Sequence, residues 1–73
     1  MEIRYKRCSV VVITPRLGML VPELADPSEL GPFVEGLGSR GLTILAAGPF
    51  YEAALELAAA DPGRIETVSP FGG

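Results

Sequence analysis

The sequence predicts a small α+β sandwich, one β-sheet with two helices packed on one face, in the order β-α-β-α-β. Three observations predict it. An unbroken β-branched run, Val10-Val11-Val12-Ile13, has the composition of a strand covered on both faces. A Gly-Pro-Phe-X-Glu segment occurs twice, at Gly31 and at Gly48, each time at the head of a helical pattern. A short apolar strand pattern follows the first of these and a further strand-like segment follows the second.

The first strand is expected over residues 3–14, central in the sheet from Val10 onward and wetted on one face earlier, where Arg4 and Lys6 alternate with Ile3 and Tyr5. Pro15 and Gly18 end it, and residues 19–27, broken by Pro22 and Pro27, read as an irregular connector. Each Gly-Pro-Phe copy then opens a helix. Glycine can cap, proline at the first helical position has no amide hydrogen to leave unpaired, and an early glutamate suits the positive end of the helix dipole. The first helix is expected over residues 32–40, with Leu30, Phe33, Val34 and Leu37 on one face; Gly36 and Gly38 weaken it and Gly41 closes it.

Residues 42–47 form a short strand between glycines. The second helix, residues 49–60, gathers Phe50, Tyr51, Ala54, Leu55, Leu57 and Ala58 on one broad arc, with Glu52 and Glu56 opposite. Asp61, Pro62 and Gly63 stop it. The last strand is expected over residues 64–71, and Pro70 confines it to an edge or to its own end.

At 73 residues the chain has room for one domain, 1–73, and a chain this short buries only about 60% of its unfolded surface. Its hydrophobic fraction of 48% exceeds what so few elements cover alone, so a homodimer is expected. No apolar run reaches the roughly 18 residues of a membrane span, which makes a cytoplasmic location the default. The net charge is −3, and four of the six basic residues (Arg4, Lys6, Arg7 and Arg16) lie in the first strand region. The acidic remainder argues against nucleic acid as a partner.

Without histidine, acid–base chemistry would fall to carboxylates, Lys6, Tyr5, Tyr51 or Cys8. A single cysteine makes neither an internal disulfide nor a structural zinc site, and no cofactor or metal is expected. Arg7 adjoins Cys8, but neighbours on a strand point to opposite faces, so Cys8 reads as a small core residue. Glu52 and Glu56, one helical turn apart, lack a third ligand and read as a solvated face. The Gly36, Gly38 and Gly41 group does not follow a strand and open a helix, as a phosphate loop must. Asp61 and Arg64 at the helix-to-strand corner, with Tyr51 on the helix leading there, are the ligand-binding candidates; a helix-stop turn with a surface ion pair is the plainer reading. The terminal Gly72-Gly73 reads either as a frayed end or as a carrier tail thin enough to enter an activating enzyme's channel.

Three segments, Leu42-Thr43-Ile44-Leu45-Ala46-Ala47-Gly48-Pro49-Phe50, Glu52-Ala53-Ala54-Leu55-Glu56-Leu57-Ala58-Ala59-Ala60-Asp61-Pro62 and Val68-Ser69-Pro70-Phe71, resemble the YCII-related family. The resemblance implies a ferredoxin-like fold and dimers formed by pairing sheets. It also implies a site joining a histidine to the aspartate of the Asp-Pro corner, of which this chain keeps only Asp61. The family's further strand before the alanine-rich helix has no counterpart in this reading.

The final segment, Gly63-Arg64-Ile65-Glu66-Thr67-Val68-Ser69-Pro70-Phe71-Gly72-Gly73, is similar to the ends of ubiquitin-like sulfur carriers, which would act through Gly73. That fold begins with a hairpin, and residues 3–14 contain no turn signal. The expected function is a dimeric binding or interaction domain without catalysis. The alternatives are a sulfur carrier and an enzyme using Asp61.

Overall fold

The computed structural model describes residues 10–70. β1 runs Val10–Thr14 and is stopped by Pro15. The chain turns over residues 15–17 into β2, Gly18–Leu20, which pairs antiparallel with β1 and sets Met19 opposite Ile13. Gly18 takes φ 83, a left-handed conformation that glycine enters without a Cβ penalty. The Thr14 hydroxyl fastens the turn, accepting the Leu17 N–H at 2.7 Å and donating to the Gly18 carbonyl at 3.3 Å.

This hairpin corrects the expected connector: among the described residues the order is β-β-α-β-α-β, one strand more than the periodicity indicates. A three-residue strand without a β-branched side chain leaves no period to read.

The first helix also begins earlier than expected. The Asp26 carboxylate accepts the Ser28 N–H at 2.9 Å and the Ser28 hydroxyl at 2.5 Å, while the Glu29 carboxylate reaches back to the Ala25 N–H at 3.0 Å. These reciprocal bonds satisfy amides that a helix start leaves unpaired. The two bonds from Ser28 hold the Asp26 carboxyl below its usual value. A 3-10 turn, Pro27–Glu29, runs straight into α1, Leu30–Leu37. Gly31 and Pro32 thus lie inside the first turn of α1 instead of capping it. Gly38, at φ 66, ends the helix three residues before Gly41.

The second half follows its sequence signals closely. β3 is Leu42–Ala46, α2 is Pro49–Ala60 and β4 is Ile65–Pro70. Gly48 is the N-cap of α2 at φ 58, with Pro49 in the first turn, as its motif predicts. β3 pairs antiparallel with β1 and parallel with β4, giving a mixed sheet in the order β2-β1-β3-β4. β1 is interior, and the proline-bearing β4 takes an edge.

Alternation sends Val10 and Val12 of β1, and Leu42, Ile44 and Ala46 of β3, to one face. There they join Leu30 and Val34 from α1, Phe50 and Ala54 from α2, and Ile65 from β4 in one buried cluster. Both helices therefore cover the same face. Tyr51, Leu57 and Ala58 pack against the cluster as the predicted arc requires, but Leu55 is 43% exposed. The buried stripe of α2 is narrower than the arc drawn from its periodicity. Among the described residues no helix is long and apolar enough to cross a membrane.

Candidate functional site

Two regions carry features beyond stability. The first is the corner between α2 and β4. The Asp61 N–H closes the helix on the Leu57 carbonyl at 3.0 Å, and the Asp61 carbonyl then accepts Arg64 N–H at 3.0 Å and Ile65 N–H at 3.3 Å. The backbone thereby fixes Asp61 and Arg64 side by side. Arg64 Nε stands 3.2 Å from Asp61 Oδ2, and Arg40 Nη2 stands 3.7 Å from Asp61 Oδ1. Arg40 is exposed, and a pair so wetted contributes about 0–1 kcal/mol. Its guanidinium lies where a Cβ on residue 63 would sit, so Gly63 makes the approach available.

Arg64 differs from Arg40. Its side chain is only 26% exposed, and its Nε and Nη1 are buried with no hydrogen-bond partner among the described residues. It borders a cavity of about 110 Å³ between α1, α2 and β4. Val34, Leu57, Ala60 and Ile65 supply apolar wall; Glu35, Asp61 and Arg64 supply the polar side. Through Gly31, Leu57 and Ala60 the cavity adjoins a wider cleft of about 340 Å³, bounded by Ser28, Ala53 and Glu56.

Of the ligand-binding candidates, the structure brings Asp61 and Arg64 together and leaves Tyr51 apart. Tyr51 is ten residues up α2, about 15 Å along the helix axis at the usual rise. It packs against the core cluster. Arg40 is the corner residue that sequence reasoning missed. It had a signal: in a β-α-β unit the starts of the parallel strands are neighbours, and the bonds from Gly41 N–H to Gly63 carbonyl and from Leu42 N–H to Arg64 carbonyl put residue 40 beside residues 61–64.

The second region is the hairpin end of the sheet face that, among the described residues, no helix covers; Val11 on that face is buried, but the surface opens toward the turn. Ile13 and Met19 face each other across the hairpin there and are 38% and 67% exposed, with Thr43 and Leu45 partly buried beyond them. Leu17 and Val21, exposed at 56% and 45%, extend the apolar surface along the hairpin. Glu52 and Glu56 are exposed on α2, as expected. Tyr5, Lys6, Cys8 and the carrier candidates Gly72 and Gly73 lie outside the described residues. No family model, curated protein or solved structure matches the chain.

Proposed function

We propose that this protein is a small interaction domain that associates reversibly with a second copy of itself through the helix-free face of its sheet. The observation that carries this reading is the exposed apolar pair Ile13 and Met19 on the sheet face that, among the described residues, no helix covers, with Leu17 and Val21 exposed along the same hairpin. Contiguous apolar surface of this kind marks an association site more often than chance exposure. A patch that pairs with itself about a two-fold axis needs no second complementary surface.

Size sets the strength. Four short strands at about 4.8 Å spacing present roughly 300 Å² of sheet face, against about 800 Å² per partner in a stable complex. The association is accordingly weak and concentration-dependent. The split crossover from β2 through α1 to β3, stepping over the antiparallel β1, supports the ferredoxin-like reading and with it the likeness to YCII-related proteins that pair their sheets. The crossover from β3 through α2 to its immediate neighbour β4 departs from that pattern.

Light scattering across a concentration series tests the proposal. The mass should rise toward twice the monomer value between about 10 μM and 1 mM, the range an interface of this size can reach. A constant monomer mass would leave the face to a different protein.

A further inference from the structure

From the α1–α2–β4 cavity we infer a recognition site for a small ligand that carries one carboxylate on a short, branched apolar body, with Arg64 as its anchor. The inference is independent of whether two copies associate. Both buried side-chain polar atoms that lack a hydrogen-bond partner among the described residues, Nε and Nη1, belong to Arg64. A guanidinium presents five donors in a rigid fork, and leaving buried donors unpaired is costly. Among the described residues one carboxylate, that of Asp61, stands within ion-pair distance of this fork, and Glu35 also lines the cavity. Asp61 Oδ2, at 3.2 Å from Nε, is close enough for charge attraction but makes no aligned hydrogen bond. An acceptor that engages the fork through two parallel bonds is the partner a guanidinium favours, and a carboxylate has that geometry.

The cavity defines the rest of the ligand. About 110 Å³ is room for roughly four waters, the space of a four- or five-carbon acid. Val34, Leu57, Ala60 and Ile65 give its carbon atoms apolar contact that a phosphate or sulfate could not use. Arg40, also drawn to Asp61, adds a second positive charge on the far oxygen of that carboxylate. Asp61 is then a competitor: the ligand's carboxylate takes its place on Arg64, and the aspartate turns to solvent, where it is already 42% exposed.

The test is an amide-resolved NMR titration of the full chain with isobutyrate. The amides of Val34, Ala60, Arg64 and Ile65 should shift together and saturate with a Kd on the order of 1 mM, as a six-heavy-atom ligand allows. Isobutyramide, the same shape without the charge, should bind at least about tenfold more weakly. Asp61→Asn should tighten isobutyrate several-fold by removing the competitor, a gain that a merely structural aspartate would not produce. Arg64→Lys, which keeps the charge and loses the fork, should weaken it about tenfold. Arg64→Met, which keeps the packed stem, should abolish saturable binding while leaving the spectrum dispersed. Equal affinity for the amide, unchanged affinity in Arg64→Met, or weaker binding in Asp61→Asn would each overturn the inference, as would shifts that never saturate.

Discussion

The two faces of one sheet are built from neighbouring residues and do opposite things. Along β1, Val12 is fully buried under the helices while Ile13, the next residue, is 38% exposed on the other side. Along β3, Leu42, Ile44 and Ala46 join the cluster with Phe50 and Val34, whereas Thr43 and Leu45 remain partly open. The sequence is equally apolar on both sides of β1. Among the described residues α1 and α2 cover only one side; on the other Val11 is buried while Ile13 is open, and this exposed apolar surface at the hairpin end is surplus to the monomer's own stability. That surplus is what the proposed association uses.

Two perturbations separate the faces and a third lies outside both, in falling order of effect. Phe50→Ala empties the centre of the covered side and should cost about 3–5 kcal/mol in urea unfolding. A 73-residue domain holds only about 4–10 kcal/mol in total, so the variant should be largely unfolded at 37 °C. Met19→Lys places a charge on the open side. It should change unfolding free energy by no more than about 0.5 kcal/mol, while weakening self-association at least about tenfold in light scattering. If this variant unfolds the domain, the open face is part of the fold and the contrast fails.

Asp26→Asn belongs to neither face and isolates a charge effect from packing. The folded carboxyl titrates below its ordinary value of 3.8 because Ser28 donates to it. Its contribution is therefore full above the unfolded value and is lost as pH falls through the lower folded one. The stability difference between the native chain and Asp26→Asn should be small and constant from pH 7 to about pH 5, then shrink toward pH 2 in acid titrations followed by circular dichroism.

How much of this was legible in the sequence depended on how long each signal was. Helix α2 was read to the residue because Gly48-Pro49 opens it and Asp61-Pro62 closes it around twelve helical positions. Pro70 points to an edge or to a strand's own end, and β4 has both, while the valine run of β1 points to its interior position. The first helix was misplaced because two competing starts lie close together. Asp26-Pro27-Ser28-Glu29 carries the same logic as Gly-Pro, with a side-chain cap in addition, and the stronger cap won. β2 was missed because three residues carry no period.

The candidate site was half legible. Asp61 and Arg64 are fixed by local turn geometry that sequence distance conveys, whereas Arg40 arrives through the parallel pairing of β3 with β4, and the cavity beside Arg64 depends on how α1 leans on α2. Tyr51 shares α2 with the Asp61 corner but stands at the other end of that helix, ten residues away.

The contrast between the faces is tested most directly by a methyl-resolved NMR spectrum followed over a hundredfold dilution. The account predicts that the methyl signals of Ile13, Met19 and Leu45 move with concentration while those of Val12, Ile44 and Ile65 stay fixed. Signals that all remain fixed at millimolar concentration, or that move equally on both faces, would contradict it.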